Sequence, residues 1–178
     1  MYSKVKVGKH PLHPMLIVFP VTLYIVALGC FVARALGAEP FWFRVGVYAN
    51  LGGVIGAAIA AVPGFIDWAT GIPTGSPAKA TGMRHMLANV VALALFAINL
   101  AIVWGRRFDA DPQVGSALVL TPLGVVLTGI TGYYGGKMVV THHVGIDLTP
   151  EQERLEPRAS PREERHTPTT GDHVPGVR

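Results

Sequence analysis

Pro14–Ala33, PMLIVFPVTLYIVALGCFVA, runs for 20 residues without a charged side chain. A helix of about 20 apolar residues crosses roughly 30 Å of hydrocarbon, so this stretch reads as a membrane span. Three more runs have the same character: Val45–Ile66 with 22 residues, Met86–Gly105 with 20 and Pro112–Gly136 with 25. Charged residues make up 15% of the 178, against about 25% in an ordinary soluble domain, and they collect at the ends of these runs. The expected fold is therefore all-α, an antiparallel bundle of four transmembrane helices over about 14–36, 44–66, 83–104 and 114–140. A basic leader (1–9) precedes the transmembrane domain (10–147). A polar tail (148–178), rich in proline, Glu and Arg, lacks the apolar surface to fold alone and is expected to be disordered.

The charges suit a lipid bilayer and not a nucleic acid. The net charge of +4 comes from basic residues at span ends and in the tail. Lys4, Lys6, Lys9, Lys79, Arg84, Lys137, Arg154 and Arg158 fall on one side, and Arg34, Arg44, Arg106 and Arg107 on the other. That asymmetry places both termini in the cytoplasm. The first run is longer than a signal-peptide core and follows two prolines, so it is read as a span that stays in the protein. The one cysteine, Cys30, lies within that span. It excludes an internal disulfide, a Cys-x-x-Cys pair and an all-cysteine iron–sulfur site, and it reads as a small buried side chain.

Small residues recur at steps of four in span 2 (Gly52, Gly56, Ala60, Gly64) and span 4 (Gly124, Thr128, Gly132, Gly136). Such stripes let neighbouring backbones approach closely, and their likeness suggests a weak repeat. Pro14 is expected at the first helical position, with a bend at Pro20. Phe41, Trp42, Phe43 and Tyr48 read as an interfacial aromatic belt. Asn89 and Asn99 share a face of span 3 with His85 and should turn into the bundle.

The histidines are one-sided. Spans 1 and 3 begin, and spans 2 and 4 end, on one face, which receives His10, His13, Asp67, His85, His142 and His143. The connections at the opposite face hold no histidine, and His166 and His173 lie in the tail. Neutral imidazoles bind transition metals, with a nearby carboxylate fixing the tautomer. Candidate metal ligands are thus His10, His13, Asp67, His85, His142 and His143. Candidate cofactor contacts are His10, His13, His85, His142 and Asn89, with haem b as the redox version and Lys79 or Arg84 near its propionates. A quinone head group or a relayed proton would also suit histidines. Each element has a plainer explanation as well: helix capping for His-Pro, interface anchoring for Asp67-Trp68, solvation for His142-His143.

HPLHPMLIVFP at 10–20, GFIDW at 64–68, RHMLANVVALALF at 84–96 and GYYGGKMVVTHHVG at 132–145 together resemble the membrane family called domain of unknown function 2231. The likeness covers about residues 9–147 and implies four transmembrane helices in a bacterial inner membrane. Some members of that family carry a fused Rieske-type domain, which implies redox company, although this chain has no such cysteine ligands. The expectation is a redox-associated membrane protein binding haem b or a metal ion. Its partners would be a quinone or a larger respiratory or other membrane complex. The alternatives are a non-catalytic accessory or assembly subunit, and an ion or proton transporter. Neither a nucleophile elbow nor an HExxH motif is present, so enzymatic hydrolysis is not expected.

Overall fold

The computed structural model describes residues 3–8, 10–146, 151 and 154. The chain divides after Ile146, and the expected disordered tail lies almost wholly outside the described residues. A two-stranded hairpin, β1 (Lys6–Val7) and β2 (His10–Pro11), opens the described chain. The helices follow in order: α1 (Leu12–Leu16), α2 (Val18–Ala35), α3 (Pro40–Ile66), α4 (Pro77–Trp104) and α5 (Ala117–Val140). Four stretches are long and apolar enough to cross a membrane: Leu12–Ala35, Pro40–Gly71, Pro77–Trp104 and Ala117–Val140.

The helix boundaries depart from expectation for local reasons. The first helix starts at Leu12, two residues before Pro14, with Leu12 N–H donating to the Val5 carbonyl at 3.0 Å. Its break falls at Ile17 and not at Pro20. Pro20 has no N–H, so the carbonyl of Leu16 one turn earlier loses its partner. Helix α4 begins at Pro77, because Ser76 accepts from Lys79 N–H at 3.2 Å and Pro77 is preset for the first turn. Helix α3 runs past Ile66 into a wide π turn, Asp67–Gly71. There Lys79 Nζ donates to the carbonyls of Trp68, Ala69 and Ile72 and sits 4.1 Å from the Trp68 ring centre. The carbonyls of that turn are satisfied by a side chain, which is how it persists without a following helical residue.

Two hairpins, α2–α3 and α4–α5, repeat one another at an offset of 71–72 residues. Tyr24 and Phe96 are equivalent, and their rings stack in parallel with centres 3.4 Å apart. Gly53 gives its missing β-carbon space to Tyr24, and Gly124 gives its own to Phe96. Because α2 and α4 run in the same direction and meet across this stack, the relation is a pseudo-two-fold axis along the bundle, as in parallel membrane repeats. The axis ends in an apolar plug of Phe31, Phe43, Val47, Val103 and Ala117. Phe43 is fully buried there against Phe31, so the aromatic belt reduces to Phe41, Trp42 and Tyr48. Arg34 pairs with Asp111 beyond the plug, and Gly37, at φ 96°, ends α2 in the left-handed conformation. The α3 stripe packs on the first helices, Gly56 against Pro20 and Gly64 against His13. In α5 the expected stripe does less: Gly124 is in contact, whereas a β-carbon at Gly132 or Gly136 would meet nothing within 4 Å among the described residues.

Candidate functional site

The site is built on the same axis by one device used twice. His13, at the start of the first helix, donates from Nδ1 to the Ala60 carbonyl of α3 at 2.8 Å, and its ring lies against Gly64. His85, in α4, donates from Nδ1 to the Thr131 carbonyl of α5 at 2.9 Å, and its ring lies against Gly135. In both hairpins the accepting carbonyl and the glycine are four residues apart, so the ring covers one helical turn that lacks a side chain. A carbonyl can only accept, so both imidazoles carry a proton on Nδ1, which leaves Nε2 as the lone-pair nitrogen of the neutral ring. The rings meet edge to face, with centres 6.2 Å apart and planes at 88°.

The two rings differ at Nε2. Asn89 Nδ2 donates to His85 Nε2 at 3.0 Å and to the His85 carbonyl at 2.9 Å. The position equivalent to Asn89 in the first hairpin is Ile17, which has no amide to offer. Among the described residues His13 Nε2 has no hydrogen-bond partner. His85 stands eight residues after Pro77, about 12 Å into the helix at 1.5 Å per residue. His13 is the second residue of its helix, and both rings are half-buried.

The remaining candidates do not join it. Asp67 turns to the leader, accepting from Ser3 Oγ at 2.6 Å, Lys4 N–H at 2.6 Å and Val5 N–H at 3.0 Å. His142 Nε2 meets Thr81 Oγ1 at 3.1 Å. The Thr81 hydroxyl proton is already given to the Pro77 carbonyl, so His142 is the donor there. His10 is exposed on β2, and His143 is exposed at φ 52° beyond α5. Lys79 is committed to three carbonyls and the Trp68 face, which withdraws it from any propionate. Among the described residues no three His, Cys, Asp or Glu side chains are placed to hold one metal ion. Of the six candidates the structure brings His13 and His85 together and places Asp67, His10, His142 and His143 apart from them, and the cause is local. A carboxylate facing two backbone N–H groups and a hydroxyl is satisfied by the leader, and His142 is held by the first turn of α4.

Four polar groups of the interior escaped the expected set. Asn50 and Asn99 are both 0% exposed, Thr121 is fully buried beside Asn99, and Tyr24 is 4% exposed. An amide at Asn50 within a charge-free run was the available signal. Nothing in the sequence indicates that the carbonyls of Ala60 and Thr131 would orient the histidines.

Residues 9–148 match the family model described as "Predicted membrane protein (DUF2231)". That is most of the chain. The chain belongs to the DUF2231 family. No curated protein and no solved structure matches it. The family description carries membrane residence and nothing about chemistry, so the contacts in this DUF2231 bundle are what bear on function.

Proposed function

We propose that this DUF2231 protein is a redox-associated membrane protein that binds a transition-metal ion between His13 and His85. One observation carries the reading: both rings are tied at Nδ1 to a backbone carbonyl. That outer contact fixes the tautomer and orientation of metal-binding histidines. Two neutral imidazoles suit copper, zinc or iron. Haem b is a weaker candidate, because each ring lies on a glycine of a neighbouring helix, which favours an ion over a porphyrin. On this reading both termini face the cytoplasm of a bacterial inner membrane, and electrons pass to a quinone or a partner protein.

The test is elemental analysis and an absorption spectrum of protein purified in mild detergent, followed by titration with copper, zinc, iron and haem. His13→Ala and His85→Ala should each abolish binding, while His10→Ala and His142→Ala should leave it unchanged. Protein that takes up none of these overturns the proposal.

A second reading, an accessory subunit of a larger membrane complex, is favoured by the open α5 surface at Gly132 and Gly136. Native mass spectrometry from mild detergent showing monomer only would count against it. For ion or proton transport the Phe31–Phe43–Val47–Val103 plug is a barrier on the axis.

A further inference from the structure

A groove between α2 and α3 joins a cation to an apolar trough. It lies toward the end of the bundle away from the histidine pair, where α2 finishes and α3 begins, and its volume is about 490 Å³. That falls within the roughly 300–1,000 Å³ of small-molecule sites. Leu23 and Val26 of α2 line it together with Val45 and Ala49 of α3. Phe41, Arg44 and Tyr48 line it too, so the arginine and the apolar walls border one space.

Its depth follows from the helical rise. Arg44 stands four residues after Pro40, about 6 Å along α3, and Ala49 stands nine residues after it, about 14 Å along. Leu23 lies twelve residues before Ala35, about 18 Å from that end of α2. Trp42 and Tyr48, 44% and 47% exposed, stand on either side of Arg44 in the chain and belong at the boundary of water and lipid. The groove thus starts at the level of the headgroups and descends into hydrocarbon.

The charge selects the occupant. Arg34, at the same end, is paired with Asp111, whereas among the described residues Arg44 has no carboxylate partner and none lines the groove. A guanidinium binds a phosphate through two parallel N–H donors, and the bilayer supplies phosphate already joined to acyl chains. A neutral head group would leave the charge uncompensated. A second copy docked here about a two-fold axis would present the same arginine-bearing patch to itself. The second hairpin does not reproduce the arrangement: at the offset of 71 that relates Gly53 to Gly124, Arg44 becomes Gly115 and the small Ala49 becomes Leu120.

We propose that this groove binds one anionic phospholipid, with its phosphate on Arg44 and an acyl chain along Leu23, Val26, Val45 and Ala49. The proposal is independent of whether the histidines hold metal.

The experiment is native mass spectrometry of the full chain from mild detergent. The protein is titrated with phosphatidylglycerol, with phosphatidylethanolamine of the same acyl chains, and with inorganic phosphate. The expected result is one phosphatidylglycerol per chain, held more tightly than phosphatidylethanolamine and not displaced by inorganic phosphate. Arg44→Gln should weaken it about tenfold, the loss of one charge-assisted contact. Arg84→Gln makes the same change of charge at an exposed position near the other end and should leave binding as it was. Val26→Trp places an indole in the trough from a position 41% exposed, and it should weaken binding with Arg44 intact. Circular dichroism checks that each variant keeps its helices. Equal binding of the two lipids, equal losses in Arg44→Gln and Arg84→Gln, or undiminished binding in Val26→Trp overturns the proposal. Displacement by inorganic phosphate overturns it in favour of a free-anion site. A lipid-free dimer that Val26→Trp dissociates overturns it in favour of a second copy.

Discussion

The first hairpin and the second solve the same packing problem with different residues. In both, an imidazole crosses to the next helix, binds a carbonyl and rests on the glycine one turn later. In both, an aromatic ring fills the space left by a glycine, Tyr24 on Gly53 and Phe96 on Gly124. The second hairpin adds Asn89, which occupies His85 Nε2, while Ile17 has no amide to offer and His13 Nε2 has no partner among the described residues. The first adds the leader, clasped by Asp67, where the equivalent position of the second is Met138. The shared contacts hold the bundle together, since lipid offers little hydrophobic drive for helix association and close packing with a few polar ties must supply it. The unshared ones distinguish the halves: His85 is held at both ring nitrogens and His13 at one among the described residues.

The largest expected effect tests the shared part. A β-carbon at Gly53 would stand 2.5 Å from the Tyr24 ring, and one at Gly124 would stand 2.6 Å from the Phe96 ring. Gly53→Leu and Gly124→Leu should each lower stability by about 3 kcal/mol, near the top of the range for overpacking. Gly136→Leu, where nothing lies within 4 Å among the described residues, should change it by less than about 0.5 kcal/mol. Unfolding in bicelles followed by tryptophan fluorescence measures all three. A marked difference between Gly53→Leu and Gly124→Leu would break the equivalence of the two hairpins.

Next comes the leader. Removing the Asp67 carboxylate takes away the acceptor of three hydrogen bonds from Ser3, Lys4 and Val5. Charge-assisted bonds of this kind are worth about 1.5–3 kcal/mol. Asp67→Ala should therefore open the leader without unfolding the bundle. Trypsin should then cut at Lys4 and Lys6 at least tenfold faster, while the cutting rate elsewhere stays as it was. Equal rates at Lys4 and Lys6 in both proteins would show that the clasp does not hold the leader.

Much of this could be read from the sequence, and the unread part has a physical cause. Four apolar runs are enough to give four spans, because the length of hydrocarbon to be crossed is fixed. His13 and His85 stood out as polar rings bordering such runs, and Asn89 as an amide on the same face. The repeat showed faintly as matching stripes in spans 2 and 4, and the 72-residue spacing of His13 with His85 and of Tyr24 with Phe96 is its plainer mark. What composition does not encode is which carbonyl a ring will reach. Asp67 shares an end of the bundle with the histidines, yet backbone N–H groups of a leader with no hydrophobic pattern claim it first. Lys79 looked available for an anion because a lysine's partners are ordinarily side chains. Here they are the carbonyls of a π turn, which no periodicity foretells.

The histidines themselves separate by a smaller amount. His85→Ala removes the bond to Thr131 and the one from Asn89, whereas His13→Ala removes the bond to Ala60 alone. At about 1 kcal/mol for each bond, His85→Ala should be the more destabilising by about 1 kcal/mol. The same unfolding measurement resolves that gap, and equal losses would mean that the Asn89 contact contributes nothing.

The smallest effect is the sharpest, because it exchanges the unshared contact between the halves. Any ligand of the pair must displace the Asn89 amide from His85 Nε2. That bond is worth about 1 kcal/mol, so removing it should tighten metal binding roughly fivefold, given that 1.4 kcal/mol is a factor of ten. Asn89→Leu should show that gain in a competition titration against a chelator of known affinity. The converse change, Ile17→Asn, would place an amide four residues after His13, as Asn89 stands four after His85, and should weaken binding by a similar factor. If Asn89→Leu leaves the affinity unchanged while Ile17→Asn weakens it and His13→Ala abolishes it, the metal is held by His13 without His85, and the two rings meet on the axis for packing alone.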